Sequence, residues 1–406
     1  MHRYIGKIVV LAAVILAVNN VSAEIKNFSF TDGKVSYTLT ESNNVTIQLF
    51  TPGGELISTL FAGEQKKPGE YSFQWDSKDR EGHLIKKGRY LLKAGVGRKA
   101  VKDANFAKTG FIQMQNPGGL VIDKNGDLYI LDIGVSESGG YGLYEKWLKP
   151  AGLYKFTADG APINDFYPSE SNFHGLPRGW HRWIAMDDTN LYCSLGGTVN
   201  VMEKTGRIIR TVDGGAPSQG GGALGADSKL YTRVEGGHEI YVCNRSLEKG
   251  FLFKTPSFLP GAFGIPTMIA DGRNGIYLTA GPTMKLEDKG TNIVLRYQYP
   301  TPDTVQGLAL SQGMIYVVDR SPASNVYQLW DTGESLLKVA VMGDDSIKGL
   351  HAIAVSPDGK SLYLLEDGMD QGKGCGKGAG RLFKYDLGYA QEAQANVTLS
   401  GEAIHE

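Results

Sequence analysis

GLVIDKNGDLYILDIG (119–134) is an apolar run, a polar turn, and a second apolar run opened by Leu128-Tyr129. The same shape returns at 183–197 (WIAMDDTNLYCSLGG), 223–236 (ALGADSKLYTRVEG), 267–281 (TMIADGRNGIYLTAG), 307–319 (GLALSQGMIYVVD) and 352–368 (AIAVSPDGKSLYLLEDG). The marker tyrosines Tyr129, Tyr192, Tyr231, Tyr277, Tyr316 and Tyr363 stand 63, 39, 46, 39 and 47 residues apart. A short, nearly continuous apolar run bounded by turn residues reads as a strand buried on both faces. A third run follows each pair: LYKF (153–156), VNVM (199–202), IYVC (240–243), VLRY (294–297), VYQL (326–329) and LFKY (382–385). Most lead into turns rich in Asp, Asn or Gly, such as TADG (157–160) and WDTG (330–333), whose residues tolerate positive φ. IIRTV (208–212) and LLKVAV (336–341) supply a fourth run.

A period near forty with about four strands per unit is that of one propeller blade, so six units predict a six-bladed β-propeller over 109–390. The last unit lacks an outer strand of its own. FIQMQ (111–115), just before the first repeat, is the expected closing strand, with VTLSG (397–401) as the alternative. In the first unit Pro117, Gly119, Asp123, Gly126, Tyr129 and Asp132 resemble the NHL-type repeat. Later units depart from it, with Trp183 in the place of Gly119 and with Arg233 and Glu235 ending the third. The resemblance implies an architecture whose bearers include scaffolds, sugar-lactone hydrolases and lyases, and fold does not select among them.

The chain has 406 residues, 41% hydrophobic and 21% charged, and the 54 glycines fall at strand ends and turns. Lys plus Arg is 42 against 43 for Asp plus Glu, which gives no electrostatic footprint for nucleic acid. Residues 1–23 read as a secretory signal. His2, Arg3 and Lys7 precede an apolar core at 8–18, and Val21-Ser22-Ala23 fits a cleavage site before Glu24. Export to the periplasm or the cell exterior follows as an expectation, with no transmembrane segment in the mature chain. Residues 24–100 form a separate unit of alternating strands, such as VSYTL (35–39) and VTIQLF (45–50). Its landmarks Gly54, Trp75-Asp76, Gly82, Gly88 and Tyr90 resemble the Ig-like domain of flagellar hook-capping (FlgD-like) proteins. The resemblance implies a β-sandwich packing or adhesion module, and Trp75 is the expected core anchor. Residues 101–108 read as a linker and 391–406 as a C-terminal tail or closing strand. The expected fold is therefore all-β throughout.

Propeller chemistry centres on the axial channel. Aligning the six copies on Asp123, Asp187, Asp227, Asp271, Ser311 and Ser356 places Gly118, Arg182, Gly222, Pro266, Gln306 and His351 around one mouth. Within HGLPRGWHRW (174–183), Trp180, His181, Arg182 and Trp183 join Gln306 and His351 as candidate ligand-binding residues. The functional reading is a polar ligand held by Arg and His with Trp180 or Trp183 as a stacking platform. The structural reading is that these residues fill the channel and pack beneath the insertion at 134–150. A second insertion, 369–380, is rich in glycine. No cofactor is expected. Asn116, Asp319 and Glu366 are the weak candidates for a divalent cation held by oxygen ligands. Asp132, Asp319 and Glu366 occupy one repeat position, however, which suits a hydrogen-bond acceptor inside the blade equally well. There is no C-x-x-C, H-E-x-x-H or G-x-S-x-G. Cys193 and Cys243 could form a bridge or stand as small buried residues, and Cys375 lies in a glycine-rich loop.

The leading expectation is a non-catalytic binding protein for a cell-surface glycan or a protein partner. Its alternatives are a metal-assisted hydrolase or lyase acting on a sugar derivative, and an envelope or adhesion scaffold.

Overall fold

The computed structural model describes residues 24–78, 83–106, 117–132, 135–136, 147–149, 152–163, 183–195, 198–212, 221–226, 229–233, 238–245, 251–254, 267–279, 281–302, 304–311, 313–321, 325–343, 347, 349–366 and 380–399. Every regular element among them is a β-strand. Two bodies emerge, an Ig-like sandwich and a six-bladed propeller, and they share one sheet.

In the sandwich, Ile25–Thr31, Lys34–Leu39 and Gly69–Gln74 make one sheet. Its first hairpin turns through Asp32 and Gly33, both at positive φ, between the paired Thr31 and Lys34. Two consecutive residues with φ > 0 are what the tight turn matching strand twist requires. Trp75 is buried, meets Phe30 edge-on at 6.0 Å, and donates from Nε1 to the Lys78 carbonyl at 3.0 Å. It is the core anchor that the sequence suggested.

The second sheet has six strands in the order Leu350–Val355, Ser361–Glu366, Arg381–Leu399, Gly88–Lys102, Asn43–Phe50 and Leu56–Lys66. The first three belong to the last blade and the last three to the sandwich. Gly88–Lys102 pairs antiparallel with Arg381–Leu399 from Tyr385↔Lys102 to Leu399↔Gly88. The outer strand of blade six is thus the end of the strand leaving the sandwich. FIQMQ falls outside the described residues. Residues 397–399 of VTLSG pair with 88–90 and complete the sandwich instead of the blade. The boundaries expected at 100 and 390 both fall inside continuous strands, because one ladder closes both bodies at once. Gly63, at φ +64°, lets the sandwich meet blade five: a Cβ there would lie 2.3 Å from Val339. Asn44 Nδ2 donates to the Val339 carbonyl at 3.0 Å across the same joint.

Blades two to five are four-stranded meanders, and blade one has three strands among the described residues. Five interblade spaces hold separate apolar clusters, one of which joins Leu120, Ile130 and Phe156 of blade one to Ala354, Tyr363 and Leu382 of blade six, and the core between blades five and six is continuous with that of the sandwich. The ring is closed. The six marker tyrosines are all buried. Tyr231 donates to Asp288 of the next blade at 2.7 Å, Tyr277 donates to Asp331 of the next blade, and Tyr363 donates to the Ala158 carbonyl at 3.1 Å. Tyr192 and Tyr129 stay home, donating to Asp187 at 2.9 Å and Asp123 at 3.4 Å. The recurring tyrosine is therefore a clamp on the turn-bearing end of the ring. A hydrogen bond to a buried carboxylate contributes about 1.5–3 kcal/mol.

Candidate functional site

The six inner strands leave an axial cavity of about 400 Å³, lined by Gly118 and Gly119 of blade one, Trp183, Gly222, Thr267, Gln306 and His351 among others. Each inner strand bonds to one neighbouring strand only, and its other edge faces the cavity.

At one mouth the ladders break in a concerted way. In blade one Pro117 pairs with Asp132 and Gly119 with Leu131, so Gly118 is the extra residue of a β-bulge. In blade five Val305 pairs with Asp319 and Gly307 with Val318, which leaves Gln306 as the bulged residue. In blade six Leu350 pairs with Glu366 and Ala352 with Leu365, which leaves His351. Blades five, six and one are successive in the ring, so three of the six residues that sequence alignment placed at the mouth are bulged residues at one level. A bulge re-aims a side chain and is over-represented beside active sites.

Gln306 is fixed from two sides. Its Oε1 accepts from Arg320 Nη1 at 3.3 Å, and its carbonyl accepts from Thr267 Oγ1. Arg320 lies in the hairpin after the second strand of blade five, and its own N–H donates to the Thr304 carbonyl at 3.0 Å. The repeat alignment missed Arg320 because that hairpin lies beyond the aligned unit. His351 is 7% exposed. The second strand of blade three ends on Arg233, a fully buried guanidinium opposite Gly221 of the inner strand. Burial pushes it down to about 10, so it remains a cation at neutral pH.

Two candidates change meaning. The turn after the inner strand of blade three begins at Gly225, whose N–H bonds the Lys229 carbonyl as that of Asp123 bonds Asp127. The alignment on Asp227 is therefore shifted by two residues. Gly222 pairs with Thr232 at the level where Leu120 pairs with Ile130, deeper than the mouth. At that level the other blades carry Leu120, Ile184, Met268, Leu308 and Ile353. Trp183 of blade two fills the space: a Cβ on Gly222 would lie 2.5 Å from its indole. At 3% exposure Trp183 is a wall of the channel and a core residue, not an exposed stacking platform. Trp180, His181, Arg182 and Pro266 lie outside the described residues.

The acids are engaged. Asp319 accepts from Thr304 Oγ1 at 2.5 Å, from the Ser321 N–H at 2.9 Å and from Ser321 Oγ at 2.8 Å. Glu366 takes a forked contact from Arg381, with Nε at 2.9 Å and Nη2 at 3.0 Å. Both are buried and serve as acceptors within their blades. Asn116 lies outside the described residues, and among those described no three metal-ligating side chains converge. Cys193 and Cys243 are free, buried thiols, which burial pushes up to about 12 and about 11. They are not nucleophiles at neutral pH. Cys375 is outside the described residues.

Residues 22–99 match the family described as the FlgD Ig-like domain. That part of the chain is an FlgD Ig-like domain. No curated protein matches the chain. Among solved structures, the chain is similar to a structural genomics protein of unknown function from Bacteroides thetaiotaomicron VPI-5482, at 12% identity and TM-score 0.48, over 91% of this chain and 99% of that one. It is also similar to the RRP9 WD40 repeats, at 10% identity and TM-score 0.48, over 71% of this chain and 99% of that one. A streptogramin B lyase structure matches at 14% identity and TM-score 0.41, over 74% of this chain and 98% of that one. No helix among the described residues is long and apolar enough to cross a membrane.

Proposed function

We propose that the protein is an exported, non-catalytic binding protein that engages a cell-surface glycan or a protein partner through the channel-mouth face of its propeller. The observation that carries this reading is the run of three bulges, at Gln306, His351 and Gly118, in successive blades around one cavity. A cavity of about 400 Å³ with a few convergent polar groups lies within the range for small-ligand sites. Asp319 and Glu366, the acids a metal-assisted hydrolase would draw on, are instead held by Thr304, Ser321 and Arg381. Export rests on the basic start, apolar core and Val21-Ser22-Ala23 of residues 1–23.

The test is a glycan array probed with the mature chain (24–406), alongside Gln306→Ala and His351→Ala. Signals lost in both variants support the reading. Signals that survive in both move the ligand away from the mouth. Turnover of a bound sugar by the wild type would replace the reading with the hydrolase or lyase alternative.

A further inference from the structure

The acid that receives a clamp tyrosine occupies one repeat position. In blade four the Gly275 carbonyl closes the turn by accepting from the Asp271 N–H, Gly275 pairs with Glu287, and the clamp acid Asp288 is the next residue. In blade five Met314 pairs with Trp330, and Asp331 is the next residue. The same register runs through the other blades. In blade three Lys229 closes the turn and pairs with Asn244, so Arg245 stands where Asp288 does. In blade two Asn190 closes the turn and pairs with Glu203, which puts Lys204 there. At this position blades two and three carry cations where blades four and five carry the acceptor for the preceding blade's tyrosine. A phenol can donate to neither an ammonium nor a guanidinium. That accounts for Tyr129 and Tyr192, which donate to the aspartates of their own blades.

The substituted cations are gathered in one place. Lys204 and Arg245 line a cavity of about 360 Å³ together with Lys124, from the first turn of blade one. It lies on the turn-bearing face, at the far end of the inner strands from Gln306 and His351. Gly225, Ala226 and Gly272 keep it open, and Met186 and Leu224 give it an apolar wall. Two acids share it. Asp187 is engaged by the Thr189 N–H at 2.9 Å, the Asn190 N–H at 2.8 Å and Tyr192 at 2.9 Å, with Arg245 Nη1 at 3.7 Å. Asp188 is exposed. Among the described residues neither Lys124 nor Lys204 forms an ion pair. Arg245 donates from Nη2 to the Gly225 carbonyl, and its buried Nε has no hydrogen-bond partner. Three cations from three successive blades therefore face two acids, one of them held by its own turn.

We infer that this cavity binds a phosphate monoester, with the phosphate between Lys124, Lys204 and Arg245 and its organic group against Met186 and Leu224. A phosphomonoester carries close to two negative charges at neutral pH, which suits a pocket whose cations outnumber its acids. Lysine acts on a phosphate as a point charge and arginine as a fixed set of planar donors. The volume lies in the range for small organic ligands. The site is separate from the glycan- or protein-binding mouth and does not depend on it.

The experiment is calorimetric titration of residues 24–406 with glucose 6-phosphate, inorganic phosphate, the singly charged glucose 6-sulfate, and glucose. Glucose 6-phosphate is expected to bind more tightly than inorganic phosphate or the sulfate, and glucose not to bind. Lys124→Ala and Lys204→Ala should each weaken glucose 6-phosphate by about tenfold, with melting temperatures near wild type. Asp188→Asn should tighten it severalfold, a gain that damage to the fold does not produce. Gln306→Ala, at the other end of the channel, should leave it unchanged. Equal binding of sulfate and phosphate esters would overturn the preference for a dianion. Inorganic phosphate bound as tightly as the ester would overturn the assignment of an organic group. Glucose 6-phosphate binding that survives both lysine substitutions, or that is lost in Gln306→Ala, would place the anion elsewhere and overturn the site. No binding of glucose 6-phosphate would overturn the inference outright and leave the glycan array at the mouth unaffected.

Discussion

The two ends of the channel are built by different rules. At the turn-bearing end, short Asp and Gly turns repeat from blade to blade, and the tyrosine clamps of blades three, four and six tie each to the next blade. Asp331 there accepts from Tyr277 and Tyr297, takes the Gly333 N–H at 2.8 Å, and lies 3.5 Å from Lys285. Asp288 likewise holds Tyr231 and Lys229, each at 2.7 Å. At the mouth the ladders are bulged in three adjacent blades, and the bulged residue is a different one in each: Gln306, His351 and Gly118. Regularity at one end stabilises the ring, which frees the other end to vary. The contrast explains why a recurring residue such as the marker tyrosine is structural and why the informative residues are those that break the repeat.

The largest effect is expected where the ring and the sandwich share a ladder. Deleting residues 391–406 removes the partner of 88–96 from the sandwich, and calorimetry should show loss of the cooperative melt. An unchanged melt would mean that the sandwich closes without its C-terminal strand.

Next comes the regular end. Burial alone would raise the Asp331 carboxyl, but hydrogen bonds from Tyr277, Tyr297 and Gly333, with Lys285 nearby, outweigh it and hold the group below the usual carboxylate range. Asp288 and Asp187 are lowered in the same way, against burial, by their hydrogen-bond donors. A depressed native value means stability that is present above the unfolded carboxylate value of about 4 and is lost as pH falls through the native one. Melting temperature should therefore drop steeply below about pH 4. Asp331→Ala should cost about 2–4 kcal/mol at neutral pH and flatten that acid limb. A variant with the wild-type pH profile would show that the clamp contributes nothing.

Between the two ends sits the Trp183–Gly222 pair. Gly222→Leu should destabilise by about 1–3 kcal/mol through overpacking against the indole. Adding Trp183→Gly, which gives these blades the side chains their neighbours carry, should recover most of that loss in denaturant titration. Additive losses would sink the reading of Trp183 as the filler for Gly222.

Much of this was legible in the sequence. Six tyrosine-marked repeats gave the blade count because burial between blades imposes a period on the chain. The placement of Gln306 and His351 followed from register alone. What was hidden was non-local. The outer strand of blade six comes from residues 99–102, nearly 300 positions from its partner, and no periodicity links the two. The shift of the third unit was invisible because Asp227 imitates the turn aspartate that Gly225 replaces in space. Trp183 looked like a ligand platform because its complement, a glycine on the inner strand of the next blade, has no side chain to notice. Arg320 escaped because a hairpin residue carries no repeat signal.

The smallest effects on stability are expected at the mouth. Gln306→Ala and His351→Ala should move the unfolding free energy by only about 1 kcal/mol. Chelators should leave the melting temperature of the metal-analysed protein unchanged, because Asp319 and Glu366 already have protein partners. A chelator-sensitive melt with a stoichiometric divalent ion would contradict that and revive the cation-dependent hydrolase.

The most direct measurement is hydrogen exchange of residues 24–406 with and without the glycan that the array selects. Protection concentrated at 117–119, 305–307 and 350–352, with the turns at 123–127, 271–275 and 331–335 unchanged, is the result that a binding mouth on a structural ring predicts. Protection at those turns with an unaffected mouth would contradict it.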